Sequence, residues 1–159
     1  MRTQHEGNGA GRTYGPGMIA LLRMMTVTHV AMYRLTGGRL GGRIAGNPVL
    51  LLTTKGRKTG KRRTRALVYL PDGDQMVVVG SAGSNVRHPQ WWSNLQANPR
   101  AEVQVGHASY VVEAEFLAGT VKEQLWARLV AAFPRFGEMQ QQTSRELPVV
   151  RLRPITHTS

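Results

Sequence analysis

The order of apolar and polar positions divides the chain into one N-terminal helix and a strand-rich remainder. From Pro16 to about Thr36, Met18, Leu21, Leu22, Met25, Met32 and Leu35 recur near i, i+3, i+4 and i+7, the repeat of a single helical face. TGGRLGG, Thr36 to Gly42, ends that helix in a flexible joint. Val49 to Thr54 is a continuous run, the pattern of a strand covered on both faces. Thr64 to Leu70 alternates, with Ala66, Val68 and Leu70 on one face. PDGD, Pro71 to Asp74, is a tight turn before a strand from Met76 to Ser81, so residues 48–81 are expected as a meander.

SAGSNVRHPQ reads as a loop, and Pro89 suits the first turn of a short helix through about Ala97. Ala101 to Gly106 and Tyr110 to Leu117 form a second hairpin pattern. Thr120 with Glu123 has the spacing of a capping box for a helix through about Ala132. Pro134 interrupts it, a second short helix follows, and Pro148 to Leu152 is the last strand. About six strands in hairpins, rather than βαβ units, argue against a dinucleotide-type parallel sheet. They favour a mainly β, α+β fold: an antiparallel barrel with helices packed outside, since closure removes sheet edges.

The 159 residues favour one domain, divided here into a flexible tail with an amphipathic helix (1–44) and a barrel (45–159). There is no cysteine, which excludes disulfides and thiolate metal sites. No stretch approaches the roughly 20 apolar residues of a membrane span. Residues 1–16 lack the apolar core of a secretory signal, and a cytoplasmic protein is expected.

The net charge of +12 sharpens once it is located. Residues 1–65 hold 13 Lys/Arg against one acid, whereas residues 66–159 hold 8 of each sign. The excess peaks in TTKGRKTGKRRTR, Thr53 to Arg65, on the turn between two strand patterns. A solvated turn is the plain explanation. Gly56 and Gly60, however, bracket Arg57, Lys58 and Thr59. Glycines there allow a concave run of amides, Thr59 adds a hydroxyl, and Arg and Lys suit phosphate or carboxylate. The spacing is not that of a P-loop. Nucleic acid is not expected, because no recognition-helix or RNA-binding signature is present and no aromatic lies in the basic run.

The loop before Pro89 opens a helix whose N-terminus offers a second anion site. Trp91, Trp92 and Leu95 read as its core face, and Ser81 and Asn94 either bond a heterocycle edge or serve as turn and cap residues. The five histidines show no ligand spacing, so no metal site is expected. No catalytic triad or carboxylate pair is evident, which assigns any demanding chemistry to a cofactor.

LLLTTKGRKTGKRR, VVVGSAGSNVRHPQWWSNLQANPRAEVQV and FPRFGEMQQQTSRELPVVRL resemble, in order and spacing, the deazaflavin-dependent nitroreductase and quinone reductase family of actinobacteria, over about residues 45–154. The resemblance implies a split β-barrel of the FMN-binding type. It implies a reductase passing a hydride from reduced coenzyme F-420 to a quinone, enone or nitro compound. It places Lys58 and Arg63 at tail-binding positions flanked by Arg57 and Thr59. Ser81, Ala82, Pro89, Trp91 and Asn94 line the coenzyme pocket, and Phe133, Phe136 and Met139 form the acceptor wall. Ala82 stands where the family often has Lys, and those last three stand where nitroimidazole reducers have Tyr. Members can associate with membranes, which makes the N-terminal helix, flanked by Arg23, Arg34, Arg39 and Arg43, a candidate contact with an anionic bilayer on the inner face of the cell membrane. Packing on the barrel is the other reading of that helix. The alternatives to the whole assignment are an FMN-dependent oxidase or reductase of the same fold and a non-catalytic basic module binding coenzyme, membrane or nucleic acid.

Overall fold

The computed structural model describes residues 15–81 and 87–158, the last three by backbone alone. Four helices, α1 (Pro16–Thr36), α2 (Gln90–Ala97), α3 (Gly119–Ala132) and α4 (Pro134–Gln141), accompany eight strands. The strands are β1 (Arg43–Ile44), β2 (Asn47–Lys55), β3 (Arg62–Val68), β4 (Leu70–Asp72), β5 (Gln75–Val79), β6 (Arg100–Val105), β7 (Ala108–Phe116) and β8 (Val149–Thr158). They form one antiparallel sheet in the order β1-β2-β6-β7-β8-β5-β4, with β3 paired to β2. Leu50 of β2 and Val78 of β5 are separated by three intervening strands in this order, yet share one core with Val103, Val112, Leu152, Trp91 and Leu95. The sheet therefore curls into a half-barrel, with α2 closing its interior.

The continuous run in β2 has the expected cause. Leu50 and Leu52 face the interior, while Val49 and Leu51 pack under Val30 and Tyr33 of α1. On another side, Leu125, Leu129 and Phe133 of α3 and its exit cover Val77, Val79 and Val149.

Several expectations are corrected. The described residues form eight strands rather than about six, because the two-residue β1 and three-residue β4 are too short to show a period of two. Residues 48–81 form two hairpins, not a meander: β3 pairs with β2, and β5 with β4 and β8. The N-cap of α3 is Ala118, with no side-chain cap bond. The chain already turns at Gly119 (φ +60), which places Thr120 inside the helix. β8 runs through Pro154, a residue that reads as a strand end. Val111 pairs with Thr156 and Val112 with Pro154, so Ile155 is skipped in a bulge, the place a sheet tolerates proline.

The orientation of α1 is the largest surprise. Only Val30 and Tyr33 are buried, whereas Met18, Leu21, Leu22, Met25, Met32 and Leu35 are all exposed. Periodicity identifies residues that share a face, but not which face the fold covers. The Tyr33 hydroxyl makes the choice: it donates to Val49 O (3.0 Å) and accepts from Gly106 N (2.8 Å). Gly37 (φ +57) then ends the helix in the left-handed region, where a Cβ would run into the His107 ring.

Candidate functional site

The β2–β3 hairpin ends in a self-braced turn. Gly56 N donates to Lys61 O (2.8 Å), Gly60 N to Gly56 O (2.7 Å), and Lys61 N to Thr59 Oγ1 (3.3 Å). Gly60 has φ +70, and a Cβ on Gly56 would lie 3.0 Å from Thr59 Oγ1 and 3.1 Å from Lys61 O. The glycines are thus required by the turn itself. The amides of Gly56 and Gly60 are engaged within the turn, and that of Arg57 is taken by Asn94 Oδ1. The side chains of Arg57, Lys58 and Arg63 are exposed around the turn.

Asn94 ties this turn to α2. It is buried at 4% exposure. Its Oδ1 accepts from Arg57 N (3.1 Å) and Arg57 Nη1 (3.3 Å), and its Nδ2 donates to Thr54 Oγ1 (3.1 Å). Gln90 Oε1 accepts from the same Arg57 Nη1 at 2.7 Å. Arg57 is therefore a strut as well as a cation. Trp91 and Leu95 pack into the barrel core, and Pro89 is the N-cap of α2.

Between α1, the hairpin and α2 lies a cavity of about 820 Å³. Arg57, Lys58, Thr59, Arg63, Trp91 and Asn94 line it together. The sequence did not indicate Thr54, Gln90 or the α1 residues Arg23, Val27, Val30, Ala31 and Arg34, which also line it. Among the described residues, the lining includes seven Lys/Arg and no Asp or Glu. Glu102 sits just behind, held by the Arg62 guanidinium, whose hydrogen bond keeps the Glu102 carboxyl below its usual range and raises Arg62. A wall of cations around this volume fits an elongated polyanion and gives an isolated neutral ligand little to hold.

A second cluster lies at the end of β5. Arg145, from the segment after α4, donates through Nη1 to Gly80 O (3.0 Å) and through Nη2 to Ser81 O (2.8 Å). Its Nη1 also lies 3.0 Å from His88 Nδ1. A guanidinium only donates, so Nδ1 accepts. Burial, and then the Arg145 charge, lower the His88 pKa and keep the ring neutral. Its ring centroid is 4.1 Å from that of Trp92. Arg145 was not singled out in the sequence, since its partners lie 57–65 residues away. Ala82 lies outside the described residues.

Phe133, Phe136 and Met139 do not line the cation cavity. Phe133 is buried in the cluster between α3 and β5, with Phe136 edge-on at 5.8 Å and Met139 packed beside them. Among the described residues, no group of His, Asp and Glu could hold a metal ion.

Residues 25–154 match the model of a family described as F420H(2)-dependent quinone reductase. An F420H(2)-dependent quinone reductase of Mycobacterium tuberculosis is 41% identical over 138 residues, spanning 84% of this chain and 90% of the relative. The solved structure of an F420-H2 dependent reductase superposes with a TM-score of 0.62 at 34% identity, covering 67% of this chain and 94% of the other. A further structure, described as a domain-swapped dimer, gives a TM-score of 0.65 at 29% identity, covering 86% and 99%.

Proposed function

The chain belongs to the F420H(2)-dependent quinone reductase family, and we propose that its cation-lined cavity grips the phosphate-and-glutamate tail of reduced coenzyme F-420. The protein is an F-420-dependent oxidoreductase of the split-barrel fold that reduces a quinone. When bound, the reduced coenzyme supplies the hydride. The observation that carries the site reading is a cavity with seven cations and no acid among the described residues of its lining. A phosphodiester and successive carboxylates would meet charge-assisted donors there.

In this reading Lys58 and Arg63 contact the tail. Arg57 and Thr59 flank them, with Arg57 fixed by Asn94 and Gln90. Trp91, Pro89, Ser81 and Ala82 belong to the ring end of the site. The protein's part is orientation, water exclusion and charge complementarity. Phe133, Phe136 and Met139 form the acceptor wall. Support comes from Arg145, which bonds the chain just after α4 to Ser81 and so joins the two regions. Phe and Met offer a flat, electron-poor acceptor an apolar surface without a phenolic proton, which suits quinones better than nitro compounds.

The N-terminal helix supplies a finer proposal. No helix among the described residues is long and apolar enough to cross a membrane. The outward face of α1 nevertheless carries Met18, Leu21, Met25, Met32 and Leu35, all exposed. We propose that this face rests in the interface of an anionic bilayer.

Titration of the purified protein with F-420, FMN and random DNA at two salt concentrations tests the coenzyme reading. F-420 should bind tightly, and FMN, with one phosphate and no glutamates, weakly. Tighter binding of FMN than of F-420 in the same buffer would overturn it.

A further inference from the structure

We infer that α1 is a wall of the coenzyme site, and that Arg23 and Arg34 on its inner stripe bind the outer glutamates of the tail. The assignment rests on the coenzyme reading above and extends it to a helix outside the hairpin motif.

Arg23, Val27, Val30 and Arg34 all line the cavity. In a helix of 3.6 residues per turn, Arg23 and Arg34 fall within roughly 20° of one another around the axis and about 16 Å apart along it. The two cations thus form a rail along one wall, with Val27 and Val30 between them. Met18, Leu21, Met25, Met32 and Leu35 lie about opposite, on the exposed face. The cations of α1 therefore face the site beside Val27 and Val30, while its longer apolar side chains face out.

Arg34 is held in place. It donates to Thr64 Oγ1 at 3.2 Å, and that hydroxyl pairs with Thr53 Oγ1 at 2.8 Å. The facing acid, Glu102, is engaged by the Arg62 guanidinium, and Thr64 Oγ1 takes only one of the Arg34 donors. The order of contacts along the tail follows from the faces of β2. Asn94 reaches Thr54 on the side of Leu50 and Leu52, whereas α1 packs on the side of Val49 and Leu51. A ligand with its ring at α2 passes the hairpin first and α1 last. A single glutamate ends at the hairpin, and only a longer tail meets the rail.

The test is affinity, read by fluorescence titration, for F-420 with one glutamate and with a long glutamate tail. Wild type should prefer the long tail. Arg23→Ala and Arg34→Ala should each weaken the long-tailed form about ten-fold and the short form by less than about two-fold, the loss expected for one charge-assisted contact. Both positions are exposed helical sites, where alanine favours the helix. Arg39→Ala removes the same charge from a turn outside the cavity lining and should leave the preference intact. If Arg39→Ala matches the other two, net charge is responsible and the assignment fails. If all three variants keep the wild-type preference, or wild type shows none, it fails as well, with the coenzyme reading intact. Wild type that binds no F-420 at all overturns the coenzyme reading and this assignment together.

Discussion

Asn94 and Lys58 line the same cavity, yet their side chains answer to different forces. Asn94 is buried, and both ends of its amide are satisfied by Thr54 and Arg57. Asn94→Ala strands a buried hydroxyl and a backbone N–H, a loss of about 1–3 kcal/mol per group. It should lower the melting temperature and weaken F-420 binding together. Lys58 is exposed, so Lys58→Ala should weaken F-420 roughly ten- to a hundred-fold with no measurable change in melting. Calorimetry beside a binding titration separates the two, and equal effects on melting would refute the distinction. The cation cluster framed by Gly56 and Gly60 stood out in the sequence because it is a local pattern, whereas Arg63, outside that frame, was singled out by the family resemblance. Gln90 and Arg145 were not, because each meets its partner only after the sheet has closed. Asn94 was legible as a polar residue on a helix, but not as the tie between α2 and the hairpin.

Among the elements, β2 was the easiest to read, since burial on both faces writes itself as an unbroken run. β1 and β4 were hidden by their brevity, and the two hairpins of residues 48–81 were hidden because strand patterns do not name their partners. In α1 the boundaries were legible from Pro16 and Gly37, while the covered face was not. The exposed stripe is the more regular one, and the buried side holds only Val30 and Tyr33. Tyr33 therefore carries much of the docking of α1, through bonds to Val49 and Gly106 as well as its buried ring. Tyr33→Phe keeps the ring and removes the hydroxyl, leaving Gly106 N–H and Val49 O without that partner. A destabilisation of about 1–3 kcal/mol in denaturant unfolding is expected, together with weaker binding of long-tailed F-420 as the wall loosens. Unchanged stability would mean that water replaces the hydroxyl at no cost. A chain starting near Ala45 would go further and uncover Val49 and Leu51, which pack with Val30 and Tyr33.

At the scale of the molecule, charge and apolar surface sort onto different sides of α1. The whole excess of +12 lies in residues 1–65, and part of it lines the cavity between α1, the hairpin and α2. The apolar remainder of α1 faces outward, with Met24 at 65% and Met25 at 61% exposure. Unbranched methionines adapt to an irregular surface such as a lipid headgroup layer. Attraction of cations to anionic lipid adds about 1 kcal/mol per charge near the surface, but charge alone would be lost in salt. The full chain should therefore co-sediment with anionic vesicles, and part of that binding should persist at high salt. Leu21→Asp with Met25→Asp places two carboxylates on the outward face, away from Arg23 and Arg34. That variant should leave the vesicles and keep its F-420 affinity. If it still sediments like wild type, attachment is electrostatic and the helix does not enter the interface. If the full chain stays in the supernatant and ultracentrifugation shows a dimer that the double variant dissolves, the outward stripe is covered by a second copy and the membrane proposal is wrong.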